Sequence, residues 1–239
     1  PVTREGLKQM HYMGPVDCVA YYLMTRPDSR FFDGKGLILG GSHAPNYNLK
    51  HSLVGDLSAI LIENMNPLAN FIRVPSKEIA LLSDFEEKME RIARSTIHTN
   101  ITNISGVPSW MMAVIKRVLE ITGAQSLDEV WPNLEIFFHG GVSFAPYRET
   151  YKQLIRGSQM QYRETYNASE GFFGVQNDPA DPAMMLMLDY GVFYEFIPLE
   201  ELGKPNPNIV PLTGVEVGRN YAVVISNPCG LWRYMIGDT

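Results

Sequence analysis

The run YNASEGFFG at 166–174 sets small and polar residues between a strand-like segment and an aromatic pair. A carboxylate held at a strand end stands where open α/β sheets bind ligands. There Glu170 would be a hard oxygen ligand for Mg²⁺, while Ser169 and nearby backbone amides would face phosphate oxygens. The same run also fits a plain strand-ending turn. A serine hydrolase acting through Ser169 would need G-x-S-x-G, and Asn167 stands where the first glycine belongs. The run FFHGGVS at 137–143 takes an apolar strand into Gly140 and Gly141, after which Pro146 opens a helix. Glycines there let a flat ligand approach the backbone, or serve only a tight turn. A third run, GLWRYMIGD at 230–238, closes a strand on Asp238. That carboxylate can accept two hydrogen bonds from a vicinal diol such as ribose, although aspartate also closes ordinary turns.

Other chemistries are excluded. The 239 residues contain neither G-x-x-x-x-G-K-[ST] nor H-E-x-x-H. Gly34, Lys35 and Gly36 begin like a dinucleotide fingerprint, but they lack the third glycine and precede a strand. His11, His43, His51, His98 and His139 show no metal-ligand spacing and read as surface or hydrogen-bonded core histidines. Cys18 and Cys229 lie at opposite ends, which rules out a cysteine framework and points to a reducing, cytoplasmic setting. The net charge of −6 leaves no electrostatic footprint for nucleic acid, and no apolar run has the roughly 18 residues a membrane span needs.

These candidates need elements to hold them. A composition of 45% hydrophobic and 19% charged residues is that of an ordinary globular chain, one large domain or two small ones. Pro1 in place of Met, and an end straight after a strand-like run, suggest an internal piece of a longer protein. Apolar spacing predicts a helix over 3–22, capped by Thr3 and kinked at Gly14 and Pro15, then a strand over 36–39 and a polar loop through Lys50. It predicts helices over 56–64, 76–96 and 108–121, the last opened by Pro108 and closed by Gly123. Strands over 134–138 and 161–166 flank a helix over 147–155. Two hairpins follow, 184–188 with 192–197 and 221–226 with 231–236; residues 203–208 are the nearest thing to a linker. The class is α/β, layered sheets with packed helices, helix-rich over about 1–131 and strand-rich over about 132–239.

Y-x-x-S-E-G-F-F-G and L-W-R-Y-x-x-G-D, preceded by V-W-P-N-L-E and G-G-V-S-F-A-P-Y, agree in order and spacing with one family. From about Gly106 onward the chain resembles the acyl acid–amido synthetases of the auxin-responsive Gretchen Hagen family. That is a branch of the adenylate-forming superfamily of acyl-CoA synthetases, luciferases and adenylation domains. The resemblance implies part of the large adenylating N-terminal domain, without the family's phosphate loop or its C-terminal lid with the catalytic lysine, so that this chain alone would be inactive. It implies an ATP-dependent ligase using Mg²⁺ that joins a small carboxylic acid to an amine, that of an amino acid. An acyl-CoA ligase with the same first step, or a nucleotide-binding module without turnover, is the alternative. Glu170 then matches the Mg²⁺-binding acid, and Tyr166, Ala168 and Ser169 match the segment against adenine and phosphates. Gly140 and Gly141 match the glycines beside the adenine and acyl pocket, Tyr147 matches an aromatic near it, and Asp238 matches the ribose-binding acid. Val107 and Trp110 resemble part of the helix start that helps wall the acyl site, although a capped core helix explains them almost as well.

Overall fold

The structure, a computed structural model, describes residues 2–48, 50, 52–157 and 160–237. Its strands in chain order are β1 (Lys35–Ile38), β2 (His43–Pro45), β3 (Leu53–Gly55), β4 (Arg73–Val74), β5 (Ile101–Gly106), β6 (Ile136–Gly140) and β7 (Gln161–Ala168). They continue with β8 (Gly171–Val175), β9 (Met185–Leu186), β10 (Phe193–Pro198), β11 (Val210–Pro211), β12 (Tyr221–Ser226) and β13 (Tyr234–Met235). The helices are α1 (Arg4–Gly6), α2 (Met13–Thr25), α3 (Leu57–Asn64), α4 (Lys77–Ala80), α5 (Phe85–Thr96), α6 (Pro108–Thr122) and α7 (Arg148–Leu154).

A seven-stranded sheet in the order β4-β1-β5-β6-β7-β8-β9 organises the α/β fold. Its first five members are parallel, and β8 and β9 are added antiparallel. Parallel strands need cover on both faces, and β6 shows why. Side chains alternate along a strand, so Phe137 enters one core with Ile104, Val114, Ile115 and Trp131, beneath α5 and α6. Ile136 and Phe138 enter another with Met10, Tyr22, Phe31 and Phe172, beneath α2. A four-stranded sheet, β11-β10-β12-β13, joins that second core through Tyr194, Phe196 and Ile225.

Several expectations hold in detail. Gly6 N–H donates to Thr3 Oγ1 at 3.0 Å, and α6 begins at Pro108 and ends on Gly123, whose φ of 71° suits glycine. Others are corrected. Pro15 falls in the first turn of α2 rather than in a helix interior, so its missing N–H loses no partner within that helix. The irregularity is instead a π-helical turn, Leu7–His11, between α1 and α2. Gly14 is a contact point, since a Cβ there would stand 2.3 Å from the Phe172 ring. The helix expected over 76–96 is divided into α4 and α5, because Asp84 accepts from Glu87 N–H at 2.7 Å and caps a new start. Inside the loop expected to run through Lys50 lies a strand, β2, which pairs with β3 just beyond it. The hairpin expected over 184–197 is overturned. β9 completes the large sheet on β8, whereas β10 pairs with β11 and β12 in the other sheet. The second hairpin is present, with Val224 opposite Met235 and Ile225 opposite Tyr234.

Candidate active site

Because β1, β5, β6 and β7 run the same way, their C-terminal ends share one edge, the ligand-binding edge of open α/β sheets. Glycines line it: Gly40 and Gly41 after β1, Gly106 ending β5, and Gly140 and Gly141 at the end of β6. At Gly140 a Cβ would meet the Thr165 carbonyl oxygen of β7 at 2.4 Å, so any side chain would part the two strands. Gly141 has φ of 82°, and its Cβ position lies 3.4 Å from Val107 Cγ2. Val107, the residue before α6, and the end of β6 are therefore neighbours. Tyr147, half-buried, ends the 3₁₀ turn Ala145–Tyr147 that leads into α7.

Ser169 and Glu170 form a two-residue connection between β7 and β8, with Ala168 opposite Gly171. Ser169 is exposed and Glu170 half-buried, and the Tyr166 ring packs on Phe173 at 5.1 Å between centroids. The Glu170 carbonyl accepts from Asn227 Nδ2 at 2.6 Å. Asn227 Oδ1 in turn accepts from Cys229 N–H at 2.9 Å and Leu231 N–H at 3.3 Å. Cys229 Sγ lies 3.6 Å from Thr3 Oγ1, which brings the start of the chain to the same corner. Asn227 was missed by sequence reasoning, because the turn Asn227, Pro228, Cys229, Gly230 read only as a hairpin connection. Among the described residues no three His, Cys, Asp or Glu side chains gather as a metal cage. A single carboxylate at an open, glycine-lined edge fits Mg²⁺, which commonly takes one or two carboxylates and completes its shell with phosphates and water.

Trp110 lies toward the β1 side of this edge. It meets Phe85 edge-on, 6.1 Å between centroids, at a cleft of about 190 Å³ that also includes Gly40, Gly41, Asp56, Lys88 and Met89. Lys88 is 4% exposed and its Nζ donates to the carbonyls of Gly40 at 3.1 Å and Gly41 at 2.7 Å. Burial pushes its pKa down, and the Asp56 carboxylate acts against that shift. Sequence reasoning missed Lys88, yet Phe85, Lys88, Met89 and Ile92 fall on one helical face, so a lysine on an apolar stripe was the available signal.

His139, which precedes Gly140, is buried and stacks on Phe144 at 4.1 Å. Burial, and secondarily Arg148, lower its pKa to about 4, and among the described residues its Nδ1 has no hydrogen-bond partner. It is a core histidine, and the hydrogen bond expected of one is missing at Nδ1. Asp238 lies outside the described residues, beyond Gly237.

Residues 23–160 match the GH3 family N-terminal domain and residues 185–239 the GH3 family central domain. Over 126 residues, 46% of this chain and 21% of the relative, the chain is 35% identical to the jasmonoyl–L-amino acid synthetase GH3.5 of Oryza sativa subsp. japonica. Over 123 residues, 47% of this chain and 20% of the relative, it is 32% identical to the indole-3-acetic acid-amido synthetase GH3.8 of Oryza sativa subsp. indica. The solved structure of AtGH3.15 acyl acid amido synthetase in complex with 2,4-DB shares the fold over 100% of this chain and 50% of that one, with a TM-score of 0.74 at 17% identity. The chain thus spans about half the length of that solved relative, and its aligned part about a fifth of the two rice enzymes. With the family's N-terminal domain matched over more than half of its residues, the chain belongs to the GH3 family.

Proposed function

We propose that the full-length protein activates a small carboxylic acid as its acyl-adenylate at the expense of ATP and passes the acyl group to the amine of an amino acid. The observation that carries this reading is the placement of Glu170 on a turn held by Asn227, at the strand edge that Gly140 and Gly141 leave free of side chains. A carboxylate is a poor electrophile. Attack of its oxygen on the α-phosphorus of ATP forms a C(O)–O–P linkage and expels pyrophosphate. The amine then attacks the acyl carbonyl, the amide bond forms, AMP leaves and the amine gives up a proton.

The bare backbone of Gly140 and Gly141 admits adenine flat against β6, with Tyr166 and Ala168 beside it. Ser169 and the turn amides orient the phosphates, Asp238 accepts from the ribose hydroxyls, and Glu170 holds Mg²⁺. When bound, Mg²⁺ offsets phosphate charge as pyrophosphate departs. Val107, Trp110 and Tyr147 wall the acid. The rice enzymes' names specify jasmonoyl and indole-3-acetic acid conjugation, which supports an acid and an amino acid as substrate classes here. No described helix is long and apolar enough to cross a membrane, and we place the protein in the cytoplasm.

The test is acid-dependent ATP–pyrophosphate exchange by the full-length protein across aromatic and aliphatic acids. Exchange that requires an acid but no amine supports the reading; ester hydrolysis without exchange overturns it. Amide formation with an amino acid, set against thioester formation with coenzyme A, then identifies the acceptor.

A further inference from the structure

The cleft between the end of β1 and the first turns of α5 and α6 sets one buried cation against an apolar wall of Phe85, Met89 and Trp110. An ammonium has three protons. Two of those on Lys88 Nζ go to the carbonyls of Gly40 and Gly41, and among the described residues the third has no protein acceptor although Lys88 borders the cleft. Asp56 does not take it, since its Oδ2 accepts from Ser42 N–H at 2.9 Å and it reaches Lys88 only through space. A buried charge with an unused donor is costly to cover with hydrocarbon and favourable to cover with an acceptor.

Sheet geometry sets the distance from this cleft to Gly141. β1 and β6 flank β5, so their ends stand two strand spacings apart, about 10 Å. Val107 neighbours Gly141, and Trp110 follows in the first turn of α6. That span is the length of an arylalkanoic acid whose carboxyl lies by Gly141. We propose that the cleft holds the end of the acyl acid remote from its reacting carboxyl, and that Lys88 selects acids whose far end carries a hydrogen-bond acceptor. A phenol, a carbonyl or a second carboxylate qualifies; plain hydrocarbon does not. This inference takes the acid from the adenylation reading and adds its class.

The experiment is calorimetric titration of the full-length protein, without ATP, with 3-phenylpropanoate and 3-(4-hydroxyphenyl)propanoate. The hydroxy acid binds about 10- to 100-fold more tightly to the wild type, the effect of a hydrogen bond to a charged group. Lys88→Met brings that ratio close to one, while Trp110→Leu weakens both acids and keeps the ratio. Lys88→Arg, which keeps the cation but moves its donors, lowers the ratio too and serves where the Met variant does not fold; melting curves accompany each titration. Equal affinities in the wild type, or a ratio unchanged in a folded Lys88 variant, overturn the assignment. Selective binding without pyrophosphate exchange keeps it and removes the adenylation reading, and exchange with equal affinities does the reverse.

Discussion

The side-chain amide of Asn227 donates to the main-chain carbonyl of Glu170 at 2.6 Å and thereby ties the β7–β8 turn of one sheet to the β12–β13 turn of the other. Its Oδ1 is occupied by two backbone N–H groups of its own turn, so the amide is fixed in orientation. A carboxylate at a short exposed turn would otherwise sample several positions. Replacing Asn227 by Asp keeps the acceptor that orders the 227–231 turn and sets a carboxylate against the Glu170 carbonyl. Pyrophosphate exchange by the full-length protein should then fall about 10- to 100-fold, the size of one lost or reversed hydrogen bond at the site. The melting temperature should drop by only a few degrees, corresponding to about 1 kcal/mol. Exchange at the wild-type rate in Asn227→Asp would show that Glu170 needs no brace.

Glu170→Gln separates charge from shape. The amide is nearly isosteric with the carboxylate, and the main-chain bond to Asn227 does not involve the altered side chain. Loss of most exchange at saturating Mg²⁺, with an unchanged melting curve, is the expected result, because a hard divalent cation prefers an anionic oxygen. Equal rates in the two proteins would reduce Glu170 to a turn residue.

The sequence shows the parts of the site that are local and hides those assembled across the fold. Glu170, Gly140 and Gly141 stand out because a turn type or a bare backbone is written in adjacent residues. Asn227 and Lys88 do not, since their partners lie 57 and 48 residues away or nearly so, and no spacing rule connects them. The same holds for the elements. Helix α6 carries its own start and stop signals in Pro108 and Gly123. β5 escaped because Thr102 and Asn103 look like loop residues, yet both are buried, with Thr102 Oγ1 donating to the Phe31 carbonyl at 2.7 Å and Asn103 Nδ2 donating to Thr102 Oγ1 at 3.1 Å. β9 and β10 alternate like the arms of a hairpin, and only the competing edges of β8 and β12 decide that they separate.

Two buried histidines should make stability fall in mildly acidic solution. Burial lowers the pKa of His11 to about 4, and burial with a smaller contribution from Arg148 does the same for His139. Both are therefore neutral in the folded protein, while in the unfolded chain they take up protons near pH 6.5. Folded values below unfolded ones mean stability that is complete above about pH 6.5 and is lost progressively as the pH falls toward 4. Urea unfolding at pH 7.0, 6.0 and 5.0 should show this decline, and His11→Leu combined with His139→Phe should flatten it. A wild-type curve level over that range would contradict the assignment of both rings as neutral. Ion-paired carboxylates such as Glu90, held near pKa 2 chiefly by Arg117, lose their contribution only at lower pH and do not blur the window.

Two glycines distinguish a backbone held for a ligand from one held for a helix end. At Gly123 no described residue lies within 4 Å of an added Cβ, and the objection to alanine is φ of 71°. Gly123→Ala should cost about 1 kcal/mol of stability, the left-handed penalty, and leave the KM for ATP unchanged in the full-length protein. At Gly140 the added carbon meets the Thr165 carbonyl oxygen at 2.4 Å, a backbone atom of β7 that cannot rotate aside. Either β6 moves away from β7 or the end of β6 twists outward, at about 1–3 kcal/mol for overpacking. Both responses displace the backbone against which adenine is proposed to lie, so Gly140→Ala should raise the KM for ATP about tenfold or more, beyond its effect on melting. If Gly140→Ala lowers the melting temperature while the KM for ATP stays at the wild-type value, the glycine serves strand pairing alone, and adenine must be sought elsewhere along the strand edge.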